Sequence, residues 1–248
     1  MKRLIQTLEQ LNIESAEEKA ELLKRYMEML LERNRQVNLT AIKDPDEFIE
    51  KHYVDSLACA GLEQIRQAEN VLDLGTGGGF PGIPLAVAFP EKSFTLLDSL
   101  NKRIRIIQEF CEELGIGNVT AIHGRAEELG RQAEMRDGFD LCVSRAVADL
   151  RVLAEYCLPF VKPGGWFIAY KGADCHAETE SAKRAVKMLG GEITGSIRAA
   201  EALGGSKETG NAPVSTPASE HQLVLIKKLS PTPAAYPRKP GTPAKKPL

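Results

Sequence analysis

The sequence predicts an α/β protein built on a mostly parallel, doubly wound sheet. Three observations carry that reading. From residue 70 onward, apolar runs of strand length alternate with helical periodicity. The first run ends in a glycine-rich turn within Val71 to Leu85, VLDLGTGGGFPGIPL. Charged residues recur at the carboxyl ends of the later runs, where sheets of this kind hold their ligands.

Size and composition bound the rest. A chain of 248 residues suffices for one such domain with an extension. Hydrophobic content is 43% and net charge is -2, so any nucleic-acid contact must come from local patches. There is no apolar run of about 18 residues and therefore no expected membrane span. The start, MKRLIQTLEQ, has no signal-peptide core. Cys59, Cys111, Cys142, Cys157 and Cys175 lack CxxC spacing, which predicts buried thiols in a reducing cytoplasm and no metal site. The expected division is a helical extension over 1–65, the sheet domain over 66–229 and a basic, proline-rich tail over 230–248.

The extension reads as helices. Ser15-x-x-Glu18 has the form of a capping box. Leu22, Leu23, Tyr26, Met29 and Leu30 follow at helical spacing as a core face. Asp44-Pro45 starts another helix by cap and first-turn logic. His52 and Asp55 stand three apart on one helical face, either as a packing pair or as a lid over a ligand.

Strands are expected at 70–74, 93–98, 118–123, 139–144, 165–170, 192–198 and 222–228. After the first, glycines supply positive φ and close backbone approach. Gly77-x-Gly79-x-x-Gly82 matches the dinucleotide fingerprint GxGxxG, though any glycine-dense run produces it. Asp73-x-Gly75-x-Gly77-x-Gly79 is the more specific pattern. It resembles the first motif of class I S-adenosylmethionine-dependent methyltransferases, where the acid and the loop cradle the methionine part of the cofactor. A turn with no ligand is the plain alternative.

The second strand ends at Asp98, placed to accept from both hydroxyls of a ribose or to cap the helix over 101–114. Lys102, Arg103 and Arg105 open that helix against its dipole, as a solvated face or as phosphate contacts. Ala126 and Glu127 follow the third strand, where an adenine is held in the methyltransferase reading; Glu127 also suits a helix first turn. The fourth strand leads to Ser144-Arg145-Ala146 and carries neither an amine-holding Pro-Pro-aromatic motif nor a Pro-Cys nucleophile. Cys142 reads as core. Arg145 and, at the end of the fifth strand, Lys171 share one rim as orienting candidates.

Residues 204–219 are a loop by composition. Residues 221–248 hold no acid and six cations: Lys227, Lys228, Arg238, Lys239, Lys245 and Lys246. Lys227 and Lys228 belong to the last strand. The other four, on a proline-extended segment, form either a solubilising end or a free arm for RNA phosphates.

Asn38-Leu39-Thr40, His52-x-x-Asp55-Ser56-Leu57, GTGGGFPGIP, Asp98-Ser99-Leu100-x-Lys102-Arg103, Arg125-Ala126-Glu127, Ser144-Arg145-Ala146 and YPRKPGTPAKKPL occur in one order. Together they resemble the bacterial small-subunit (16S) ribosomal RNA guanine-N7 methyltransferase family, also called glucose-inhibited division protein B. The resemblance covers almost the whole chain, the 204–219 loop looking longer and more polar than is usual there. It implies a Rossmann-like class I methyltransferase fold with a seven-stranded, mostly parallel sheet. It further implies S-adenosyl-L-methionine as donor, small-subunit ribosomal RNA as partner and a cytoplasmic enzyme; the sequence does not give the oligomeric state, a monomer being the favoured expectation. Cofactor contacts carry onto Gly75, Phe80, Asp98, Ser99, Leu100, Ala126, Glu127 and Arg145, beside Asp73, Gly77 and Gly79 from the loop motif. Lys102, Arg103 and the tail cations Arg238, Lys239, Lys245 and Lys246 are the expected RNA contacts. A small-molecule methyltransferase and a non-catalytic ribosome-assembly protein are the alternatives.

Overall fold

A computed structural model describes residues 1–204 and 221–248. Beyond Gly204, the expected 204–219 loop lies outside the described residues. Among these, one sheet holds seven strands: β1 (Asn70–Leu74), β2 (Ser93–Asp98), β3 (Val119–His123), β4 (Phe139–Arg145), β5 (Val161–Lys171), β6 (Gly191–Arg198) and β7 (Gln222–Lys228). Their order is β3-β2-β1-β4-β5-β7-β6. The first five are parallel, and β7 runs antiparallel to both β5 and β6. Order reverses between β1 and β4, so the crevice for a ligand opens at their carboxyl ends.

The strands follow the sequence pattern closely, with one instructive difference. β5 begins at Val161, four residues before the expected start, so the Lys162-Pro163-Gly164-Gly165 turn lies inside it. The register against β4 shifts between Phe139 and Leu141. That irregularity accommodates the proline and glycines that the pattern alone reads as a break.

The N-terminal layer comprises α1 (Lys2–Gln10), α2 (Ala16–Arg33), α3 (Pro45–Phe48), a π-helical stretch over Ile49–Val54, α4 (Asp55–Leu57) and α5 (Glu63–Gln67). Asp44 caps α3 as expected, accepting from the Glu47 amide at 2.9 Å. Ser15 does not form its capping box. Its φ of 52° is left-handed, outside the extended geometry from which a capping hydroxyl reaches the first turn. Leu23, Tyr26 and Leu30 of α2 share one core with Phe48, Tyr53, Phe80 and Ile83. Residues 1–65 thus differ from the sheet region in secondary structure while packing into the same core.

The remaining helices are α6 (Gly82–Ala88), α7 (Asn101–Leu114), α8 (Ala126–Leu129), α9 (Leu150–Cys157), α10 (His176–Met188), α11 (Ala199–Ala202) and α12 (Thr242–Lys245). A second core contains Leu72, Cys142, Leu153, Phe160, Phe167 and Val186. All five cysteines are free and buried.

The tail corrects an expectation: its backbone is packed down along the domain. Lys228, fully buried, donates to the Leu158 carbonyl at 2.6 Å and to the Thr232 hydroxyl. Arg136 donates to the carbonyls of Thr232 (2.6 Å) and Tyr236 (3.0 Å), and Arg131 to that of Ala235 (3.0 Å). Arg238 meets the buried Glu155 carboxylate through its amide, Nε and Nη2 at 2.5–3.0 Å. Proline-rich backbone has few amide donors and leaves carbonyls without ladder partners, so arginines take them up. Glu155 in turn requires a cation. Arg238 is therefore structural and is removed from the expected RNA contacts.

Candidate functional site

The glycine loop is pinned before it reaches any ligand. The amides of Gly75 and Thr76 both donate to the Leu97 carbonyl, at 2.8 and 3.1 Å, tying β1 to β2. Asp73 is fully buried, and its Oδ2 accepts from Thr76 Oγ1 at 2.6 Å and from the Gly82 amide at 2.7 Å. One carboxylate oxygen thus closes the loop across its two ends, while Oδ1 has no hydrogen-bond partner. Burial, only partly offset by these bonds, pushes the Asp73 carboxyl up to about 6.

Beyond the loop lies a cleft of about 330 Å³ at the carboxyl ends of β1, β2 and β3. Gly75 forms part of its floor. With φ at +77° it occupies left-handed backbone, and a Cβ there would lie 2.4 Å from Val147 Cγ2. Asp98, Ser99 and Arg103 line one wall, Ala126 and Glu127 another, and Ala146 and Val147 close it from β4. Asp98 is 4% exposed. Its Oδ1 accepts from the Leu100 amide at 2.8 Å, and its Oδ2 from the Gly77 amide at 3.0 Å and Arg103 Nη1 at 3.4 Å. Glu127 is buried and accepts from the Gly241 amide of the tail at 2.9 Å, so the tail backs this wall.

Several residues expected at the cofactor instead support the cleft from behind. Asp73 is enclosed in the loop. Gly77 presents its amide to Asp98. Gly79 faces α2, where a Cβ would stand 2.6 Å from the Tyr26 hydroxyl oxygen. Phe80 is 5% exposed and stacks on His52, with ring centroids 4.4 Å apart. Leu100 gives Asp98 its amide, while its side chain is left 52% exposed. Tyr156 of α9 lines the cleft and was not anticipated, since its position in sequence is an ordinary helical one. Burial and the Glu127 carboxylate raise its phenol pKa.

Arg145 turns into the N-terminal layer rather than into the cleft. Its Nη1 donates to Asp55 Oδ2 at 2.6 Å and to the Lys51 carbonyl at 3.0 Å. Its Nη2 lies 3.2 Å from His52 Nδ1, and the guanidinium sits 5.6 Å from the Phe80 ring centroid. His221 Nδ1 meets the other Asp55 oxygen at 2.7 Å. His52 and Asp55, paired in the sequence by spacing, are thus joined through a residue ninety positions away. Lys171 is also held, 2.7 Å from the Ala148 carbonyl and 2.6 Å from Glu178 Oε1. Arg145, Lys171 and Glu178 border a second pocket of about 230 Å³, which meets the first cleft at Ala146. Lys102, Lys239, Lys245 and Lys246 are exposed.

The arginine leaves a titration signature. Burial first, then the charge of Arg145, lowers the His52 pKa from 6.5 to about 3. A neutral ring accepting from Arg145 at Nδ1 donates from Nε2 to Thr40 Oγ1, 2.7 Å away. The resulting stability is present above pH 6.5 and is lost as pH falls toward 3. Asp73 acts in the opposite sense, favouring the fold at low pH and losing that contribution as pH rises from 3.8 through about 6. His52→Gln should therefore flatten the acid side of the melting-temperature profile. An unchanged fall between pH 6.5 and 4 would show that His52 is not the group being charged.

Among the described residues, no cluster of His, Cys, Asp or Glu is arranged to hold a metal, and no helix is long and apolar enough to cross a membrane. Residues 19–201 match the family model for rRNA small subunit methyltransferase G. The chain is 45% identical over 225 residues to ribosomal RNA small subunit methyltransferase G of Alkaliphilus metalliredigens, covering 90% of this chain and 88% of that one. It is 43% identical to the protein of the same name from Alkaliphilus oremlandii, covering 96% and 94%. Among solved structures it resembles an O-methyltransferase from Bacillus cereus with TM-score 0.52, 18% identity and coverage of 82% and 90%. That last likeness supports the fold alone.

Proposed function

Since the chain belongs to the small-subunit ribosomal RNA methyltransferase G family, we propose that it methylates N7 of a guanine in small-subunit (16S) ribosomal RNA. S-adenosyl-L-methionine is the donor in this reading, and the cytoplasm the setting. The observation that carries it is the pair of adjoining pockets. One is lined by Asp98 and Glu127, the other by Arg145, Lys171 and Glu178, and they meet at Ala146.

The first cleft suits the donor. Gly75 leaves the floor open where a Cβ would collide with Val147. Asp98 offers carboxylate oxygens to ribose hydroxyls, and the 3.4 Å contact from Arg103 is the weakest of its bonds and the one to yield. Ala126 and Glu127 stand where an adenine edge would be read. Bound there, the donor supplies an electrophilic sulfonium methyl group.

The acceptor makes few demands on the protein. Guanine N7 has a free lone pair and no proton to remove at neutral pH. The chain needs no general base, in keeping with a fourth strand that carries neither an amine-holding motif nor a nucleophilic Pro-Cys. Its contribution is alignment and exclusion of water. Side chains cannot reach N7 through the deep major groove of A-form RNA, so the target guanine is unpaired or turned out of its helix. Lys102 and Arg103, with Lys239, Lys245 and Lys246 on the docked tail, supply phosphate contacts that position without choosing the base.

The decisive experiment is transfer of tritium from labelled S-adenosylmethionine to small-subunit ribosomal RNA, followed by nuclease digestion and identification of the labelled nucleoside. Label in 7-methylguanosine supports the reading. Label in small molecules only, or in none, favours a small-molecule enzyme or a non-catalytic holder. Asp98→Ala should lower cofactor affinity at least about tenfold, the value of one hydrogen bond to a charged group. Calorimetry giving the wild-type Kd would remove Asp98 from the donor site.

A further inference from the structure

The second pocket contains a charge pair whose pattern of donors and acceptors selects a base. Lys171, at the end of β5, and Glu178, in the first turn of α10, stand 2.6 Å apart at its wall. Lys171 Nζ has three hydrogens; one faces the Ala148 carbonyl and another Glu178. Glu178 Oε1 also accepts the Leu150 amide at 2.6 Å, which fixes the carboxylate against α9. Side-chain exposure is 10% for the lysine and 26% for the glutamate, so both are positioned and neither is sealed off. Oε1 is taken up by Lys171 and Leu150, so read along the pair the wall offers the third lysine hydrogen as a donor and then two acceptor positions, the two lone pairs of Glu178 Oε2.

That sequence of groups is the hydrogen-bonding edge of a cytosine. Its complement is an acceptor followed by two donors, which is the Watson–Crick edge of guanine: O6, N1–H and the N2 amino group. Adenine presents a donor at the first position, facing the lysine, and uracil has no amino group at the third. A guanine read along this edge leaves N7, on its other edge, free for the pocket that adjoins at Ala146. The cavity of about 230 Å³ admits a single base and not a base pair.

We infer that Glu178, with Lys171 beside it, reads the Watson–Crick edge of the target guanine and is the specificity-determining group for the acceptor base. The inference rests on the guanine-N7 reading above. Enzymes that take a base out of its stack commonly recognise it by this edge. A site built to bond a substrate N–H also rejects analogues that lack it, because its own acceptor, held in place here by the Leu150 amide, is then left unpaired.

The test uses the full chain and a small-subunit RNA ligated from two pieces. The target position, mapped by the digest, carries either guanine or inosine; inosine keeps O6, N1–H and N7 and lacks the N2 amino group. Wild-type enzyme should methylate the inosine RNA with kcat/KM at least about tenfold lower, one lost bond to a carboxylate. Glu178→Gln keeps an acceptor for Leu150 and places an amide donor against the N2 amino group. It should lose most activity on guanine, bind cofactor within twofold of wild type, and treat guanine and inosine alike. Equal wild-type rates on the two RNAs, or a guanine preference that survives in Glu178→Gln, would overturn the assignment. If the variant does not fold, the wild-type comparison decides alone. No wild-type transfer to N7 of the target base in either RNA marks failure of the broader reading, an outcome distinct from measurable and equal transfer to both.

Discussion

Arg238→Ala should destabilise the protein by about 3–5 kcal/mol. The substitution strands Glu155, whose side chain is fully buried and is otherwise met by Arg238 through its amide, Nε and Nη2. Only the backbone amide bond survives, and an isolated carboxylate in that position has no water to turn to. Urea unfolding measures the effect directly. Replacing both partners, as Glu155→Leu with Arg238→Met, should recover most of the loss, because the penalty belongs to the unpaired charge. The single variant should also lose cofactor affinity, since the same segment delivers the Gly241 amide to Glu127. A loss below about 1 kcal/mol, the size typical of an exposed pair, would mean that the tail is not docked in solution.

Arg145→Ala should have an effect of similar size, about 3–5 kcal/mol, for a related reason. Asp55 is 1% exposed, and Arg145 is its nearest cation at 2.6 Å. His221 still reaches the other oxygen, so the loss should lie toward the lower end of that range. Arg145→Lys should not restore stability. One ammonium cannot bridge Asp55, the Lys51 carbonyl and His52 as the planar fork does. Full stability in the lysine variant would reduce the role of Arg145 to its charge. The alanine variant should also lose methyl transfer beyond what unfolding explains, because Arg145 borders the acceptor pocket.

How much of this was legible in the sequence depends on the range of the interaction. The strands could be read because each carries its own apolar pattern, and Asp98 because strand order puts a strand-end carboxylate at a crevice. The loop was recognised as a unit, but its parts could not be sorted. Asp73 and Gly79 belong to the same motif as Gly75, yet they face inward, toward Gly82 and Tyr26. The packing of the N-terminal layer makes that distinction for Gly79, and the closure of the loop between Thr76 and Gly82 makes it for Asp73. The tail misled for the same reason. Arg238 looks as free as the other cations of the proline-rich chain until Glu155, eighty-three positions earlier, is seen to be buried against it, while Lys239, Lys245 and Lys246 remain exposed. Glu178 gave no signal, being one of several acids in a polar helix.

The strand order has a consequence for how the chain is made. β6 touches the sheet only through β7, which is synthesised after it and then enters between β5 and β6. While translation proceeds, β6 has no partner strand for the time needed to make the intervening residues, on the order of seconds. Its composition suits that wait. Glu192, Thr194, Ser196 and Arg198 alternate along it, and most of its side chains remain exposed even in the finished fold. A strand this polar resists pairing with the wrong neighbour. The last parallel strand, β5, is apolar and buried from Phe167 to Tyr170, and its free edge is the one that β7 will pair. Vectorial synthesis therefore leaves β5 as the vulnerable edge, and an arrest between residues 199 and 221 should yield a nascent chain that chaperones hold at Phe167 to Tyr170.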